Sequence, residues 1–95
     1  MKIGEIASII NQRLHDEFPK FNGAENITST RINGYRKQGL LLPEAKKHPN
    51  KSFFEYTEEH FDLIYLAYKM IVIQKIKTSA AFNLALKEIN TPKLF

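Results

Sequence analysis

The sequence predicts a mainly α-helical fold with a small β-hairpin: four helices and one hairpin in a single domain of 95 residues. Three observations carry that expectation. Four stretches place apolar residues at the spacing of one helical face, each bounded by residues that start or stop helices. Residues 40–56 have no helical period and hold Pro43 and Pro49. The chain is also too short for a second core, so its large apolar residues must share one.

The first helix is expected over about 3–17, where Ile3, Ile6, Ile10, Leu14 and Phe18 line one face. Phe18-Pro19 ends it, because a residue before proline is pushed out of the helical region. "PKFNGAEN" (19–26) has the composition of a loop. Thr28 can cap the second helix with its side-chain oxygen, and Gly39 suits the left-handed position that closes it. Leu40–Leu42 and Ser52–Tyr56 read as two short strands joined by the loop "PEAKKHPNK". The third helix has the strongest start signal. Thr57 caps it, Glu58 and Glu59 face the positive end of its dipole, and Tyr56 can staple onto Phe61. It is expected to reach about Lys77, where Thr78 or Ser79 caps a fourth helix through about Asn90. Phe82, Leu86 and Ile89 are the apolar positions of that helix, and 91–95 form a tail.

Helix, loop, helix, hairpin, helix, helix is the order of a winged helix-turn-helix. The charge distribution gives that order a meaning. The net charge is +4, yet residues 28–51 alone hold Arg31, Arg36, Lys37, Lys46, Lys47 and Lys51 against Glu44. Acids offset cations elsewhere. A basic cluster of this kind is the electrostatic footprint of a polyanion, or else a solvated lysine-rich face.

Composition narrows the alternatives. Hydrophobic residues make up 43% and charged residues 25%, as in soluble globular proteins. With no cysteine there are no disulfides, thiolate metal sites or thiol nucleophiles, which fits a cytoplasmic protein. Glu5 interrupts what would be the apolar part of a signal peptide. The longest apolar run, 63–73, contains Lys69 and is too short to span a bilayer. His15, His48 and His60 are too scattered for a helical metal pair, and Glu58-Glu59 is helix-start chemistry. No phosphate-binding glycine loop or nucleophile elbow is present. The expectation is therefore a protein that is not an enzyme and uses no cofactor, metal or small-molecule effector.

"KIGEIA" (2–7), "ITSTRINGYRKQGLLLP" (27–43), "FFEYTEEHFDLIYLAYKM" (53–70) and "IKTSAAFNLALKEI" (76–89) together resemble the DNA-binding domain of MerR-type regulators. They match its first helix, second helix, end of wing with third helix, and fourth helix, in that order. The resemblance implies a MerR-like winged helix-turn-helix that binds duplex DNA. The chain departs from the pattern at three contact positions. Asn33 stands at the family's phosphate-binding arginine, Gly34 at the first of its paired tyrosines, and Phe54 at a wing arginine. About ten extra residues separate the first two helices, and the family's long dimerising helix and effector domain do not follow the fourth.

The expected function is that of a small transcriptional regulator binding double-stranded DNA sequence-specifically. Its recognition helix, about 28–38, would enter the major groove, with the wing, 43–52, on the backbone or minor groove. Thr28, Ser29, Thr30, Arg31, Asn33, Arg36 and Lys37 are the helical contact candidates; Lys46, Lys47, His48 and Lys51 are those of the wing. Ile32 and Tyr35 should face the core. Asn33 suits a bidentate contact with adenine and Arg36 one with guanine. Gly34 weakens a helix, which is explained by close approach of a ligand or of a neighbouring helix. Of the aromatic residues Phe53, Phe54, Tyr56, Phe61, Tyr65 and Tyr68, most belong by spacing to the core rather than to stacked bases. On the third helix, Leu63, Leu66, Met70 and Ile73 form a second apolar stripe. It is either covered by the fourth helix and the tail or left for a partner, most simply a second copy in a homodimer or an array on DNA. Two rival readings are a DNA-architectural accessory factor, such as an excisionase or segregation component, and an adaptor that binds proteins through the third helix.

Overall fold

The structure is a computed structural model and describes residues 1–90; the tail expected over 91–95 lies outside the described residues. It is mainly helical. α1 (Ile3–Glu17), α2 (Ser29–Lys37), α3 (Glu58–Val72) and α4 (Thr78–Asn90) surround one apolar cluster, with a 3₁₀ turn at Gly23–Glu25. β1 (Lys46–Lys47) and β2 (Phe54–Glu55) form an antiparallel hairpin with Lys46 opposite Glu55 and Lys47 opposite Phe54.

Ile6, Ile10 and Leu14 of α1 are fully buried, and α2 contributes Ile32 and Tyr35 as its spacing predicts. Helices α3 and α4 pack most extensively against each other. Ala67 of α3 and Ala81 and Ala85 of α4 are fully buried. Small side chains there allow the two backbones to approach.

The long connection between α1 and α2 is an ordered structure. Asn11 donates from Nδ2 to the Ile27 carbonyl at 3.0 Å, and its Oδ1 accepts from the Ile27 amide at 2.8 Å. Phe21 and Ile27 are buried, the Tyr68 hydroxyl donates to the Glu25 carbonyl, and Asn22 caps the 3₁₀ turn. Thr28 then caps α2, accepting from the Arg31 amide at 3.2 Å. At the other end Gly39 has φ +74°. The Leu40 amide bonds the Tyr35 carbonyl and the Gly39 amide bonds that of Arg36, each at 3.0 Å. These are the paired bonds of a Schellman closure.

Three boundaries differ from expectation. Leu40–Leu42 is not a strand; the Schellman closure fixes Leu40, and Leu41 is drawn into the core at 1% exposure. Pro43 has no amide to donate, and strand pairing begins only at Lys46, inside the expected loop. α3 stops at Val72 rather than near Lys77. Ile71, Val72 and Ile73 are β-branched and weaken the helix, the Met70 carbonyl accepts from both Gln74 and Ile76, and Lys75 takes φ 58°. Ile76 thereby turns back onto the core. Thr78 is the first residue of α4 rather than its cap, with the Ala81 amide bonded to the Lys77 carbonyl.

His60 supplies a structural role that spacing did not announce. It is 2% exposed and completes the capping box of α3. The Thr57 amide donates to its Nδ1 at 3.0 Å, so the proton resides on Nε2, which donates to the Pro43 carbonyl. One ring thus fastens the start of α3 to the chain entering the hairpin. His60→Ala is expected to lower stability by about 2–3 kcal/mol, since it opens a cavity and strands two polar groups. His60→Gln, which can still accept from the Thr57 amide, should lose less. Urea denaturation measures both.

A second seam joins α1 to α3. The Tyr65 hydroxyl donates to Glu17, and the Lys69 ammonium bonds the other carboxylate oxygen at 3.1 Å. The Tyr65 bond first, and Lys69 after it, hold the Glu17 carboxyl below the usual range. Burial, with Glu17 adding to it, pushes the Tyr65 hydroxyl up to about 12. A carboxyl lowered by folding stabilises the fold fully above its unfolded value, near 4.5, and ceases to do so as pH falls through its folded value. Denaturation midpoints should therefore drop below pH about 4.5 in the native chain, and that part of the drop should vanish in Glu17→Gln.

Candidate nucleic-acid interface

Three elements converge on a cleft of about 770 Å³. One wall is the exposed side of α2, with Ser29, Thr30, Asn33, Arg36 and Lys37; a second is the start of α1, with Lys2, Ile3 and Glu5; the third is the hairpin, with Ser52, Phe53, Phe54 and Tyr56. The start of α1 is held there by reciprocal main-chain bonds. The Met1 amine donates to the Tyr56 carbonyl at 2.5 Å, and the Tyr56 amide donates to the Met1 carbonyl at 3.1 Å.

Arg36 joins two walls of the cleft. Its Nε and Nη2 donate to Asn33 Oδ1 at 3.1 and 2.7 Å. Its guanidinium carbon lies 3.7 Å from the centroid of the Phe54 ring, within the range of a strong cation–π contact. Burial raises the pKa of the nearby Tyr56 hydroxyl, and the charge and hydrogen bonding of Arg36 oppose that rise. Lys2 lies 5.8 Å from the centroid of Phe53, which is 37% exposed. The hairpin aromatics thus hold cations over the cleft. The MerR pattern has an arginine where Phe54 stands, whereas Phe54 here carries Arg36 on its face; that pairing spans eighteen residues and has no local signature.

The expected contact residues divide into separate groups. Ser29, Thr30, Asn33, Arg36 and Lys37 share the cleft. Thr28 is exposed but engaged as a cap. Arg31 lies on the opposite flank of α2, beside Glu25, Tyr68 and Lys75. Burial pushes the Tyr35 hydroxyl up while Arg31 pulls it down, yet no side chain makes a well-formed hydrogen bond to that buried oxygen.

Lys46 and Lys47 are exposed on β1, and Lys47, His48 and Lys51 gather at the hairpin tip. His48 is partly occupied there. Its Nδ1 accepts from the Asn50 amide at 3.1 Å, its Nε2 lies 3.6 Å from Glu55, and its ring packs on Phe53. Lys2, Phe53, Phe54 and Tyr56 are among the cleft residues that are not contact candidates by sequence, as are all the lining residues from α1.

The second α3 stripe is not an open patch. Leu63 is 1% exposed within the core, and Leu66 and Met70 are half-buried against it; Ile73 alone of the four is exposed, at 37%. Among the described residues no three His, Asp or Glu side chains gather as metal ligands do, and no helix is long and apolar enough to cross a membrane.

Comparison with family models, curated proteins and solved structures returns no match to this chain. The MerR resemblance rests on its sequence motifs.

Gly34 lies between Asn33 and Tyr35 on the partly exposed side of α2. A Cβ added there would meet nothing within 4 Å. Internal packing therefore does not require this glycine, and the reading that a neighbouring helix presses on it is set aside. Gly34→Ala is expected to stabilise the fold by about 0.5–1 kcal/mol, the helix-propensity difference. A rise in thermal or urea midpoint checks this; a fall would show that the backbone needs the glycine.

Proposed function

We propose that this chain is a small duplex-DNA-binding regulator with a MerR-like winged helix-turn-helix fold, acting in the cytoplasm. The reading places α2 in the major groove and the β1–β2 hairpin, as wing, along the backbone or minor groove. The observation that carries it is the cleft itself. A short helix capped at both ends presents Thr30, Asn33, Arg36 and Lys37 on its free side, beside a hairpin bearing Lys46, Lys47 and Lys51. A helix and a hairpin with a groove between them suit a duplex, because one can read base edges while the other follows phosphates. Lys2 extends the cationic lining on the α1 side, and Glu5 opposes it at the same wall.

Gly34 supports the same reading. It weakens α2 without relieving any internal contact, as a surface closely approached by a ligand would allow. Pairing of two copies through the α3 stripe has little support, because three of its four residues are taken up by the fold.

Binding to duplex DNA should weaken with salt at a log–log slope of about −0.9 per phosphate contacted, with roughly four to six contacts per copy. Lys46, Lys47 and Lys51 are flexible point charges suited to phosphates rather than bases. Replacing all three with alanine should lower affinity for preferred and random duplexes by similar factors, shallow the slope by up to ~3 units and leave folding unchanged. Titrations at several salt concentrations decide this. Absence of binding to any duplex at low salt would remove the reading. Unchanged binding by the triple variant would remove the hairpin from it.

A further inference from the structure

The side-chain pair of Asn33 and Arg36 limits what the cleft can recognise. Arginine can only donate hydrogen bonds, so the Asn33 amide atom facing it must be the oxygen. Arg36 donates to that oxygen twice, from Nε and Nη2, and an amide oxygen has two lone pairs. Asn33 therefore offers a ligand only the hydrogens of Nδ2. Arg36, held on Phe54, offers only its remaining N–H bonds. Lys37, one position along α2, is another pure donor; Thr30 has a hydroxyl, and the nearest wall from α1 carries the carboxylate of Glu5.

Adenine presents an N7 acceptor beside an N6 donor in the major groove, so a bidentate partner must supply an acceptor. The Asn33 oxygen would be that acceptor, and it is occupied. Guanine presents N7 and O6, both acceptors, to which a donor pair is complementary. Resting on the duplex-DNA reading above, we infer that Asn33 and Arg36 act as one composite donor that selects guanine and rejects adenine at the base pair facing the middle of α2. This reverses the adenine contact that Asn33 alone predicts. It also makes Arg36 a specificity residue in two ways: it donates to the base and it withholds the acceptor of its neighbour.

Selection from a random duplex library tests this on the native chain. One guanine should be fixed in the retained sites, and replacing it with 7-deazaguanine, which lacks the N7 acceptor, should lower affinity about tenfold or more. Arg36→Met keeps an apolar chain over Phe54 and frees the Asn33 oxygen, so selection with this variant should move that position from guanine to adenine. Adenine at that position in the native selection, indifference to 7-deazaguanine, or a variant that keeps guanine would each overturn the inference. Retained duplexes without a fixed guanine overturn it while leaving the DNA reading intact. Retention of no duplex removes both. If Arg36→Met fails to fold by circular dichroism, the deazaguanine comparison on the native chain still decides.

Discussion

The arrangement of this molecule depends on the double hydrogen bond between the Asn11 side chain and the Ile27 backbone. An amide side chain has the same donor and acceptor as a peptide, so Asn11 holds Ile27 as a neighbouring strand would. Its helix is fixed by Ile10 and Leu14, both fully buried, so the hold on Ile27 is referred directly to the core. Ile27 immediately precedes the cap of α2. A connection that long would ordinarily leave the next helix free to swing; here its last residue is anchored on α1. The position of α2 against the hairpin, and hence the cleft, follows from that anchor together with Ile32 and Tyr35.

What could be read from the sequence was the part with local causes. Thr28 and Thr57 cap helices because their side chains reach amides three residues on, and Gly39 closes α2 because it alone there adopts a positive φ without strain. Ile32 and Tyr35 were legible from helical geometry. The errors arose where distant residues decide. Nothing near Leu41 says that the core will claim it from a strand, and the end of α3 is set partly by Ile76 returning to the apolar cluster. Spacing gives His60 no structural role either, because its bond to Pro43 crosses seventeen residues.

The candidate site was legible in its α2 half and partly illegible in the rest. Spacing assigns residues to a face: with Ile32 and Tyr35 turned to the core, Thr30, Asn33 and Lys37 are left on the free side, where the cleft lies. Spacing cannot show that two side chains on one face bond each other, or that an aromatic residue from another element lies beneath. Asn33 considered alone has a free acceptor; Asn33 beside Arg36 does not. The aromatic residues of the hairpin illustrate the same limit. Spacing assigns most of these aromatics to the core; Phe54 packs against it while also lining the cleft beneath Arg36, and exposed Phe53 lies near Lys2.

The stacking of Arg36 on Phe54 has an entropic consequence. A free arginine side chain samples many rotamers, and immobilising it opposes binding by up to about 1.5–2 kcal/mol. Here the guanidinium is already confined by Phe54 beneath and Asn33 alongside, so most of that freedom is surrendered during folding. The lysines of the hairpin lie on exposed surface and keep theirs. On the proposed reading, contacts made by the two sets would differ in kind: a rigid centre would dock with little ordering, and a mobile periphery would adjust around it.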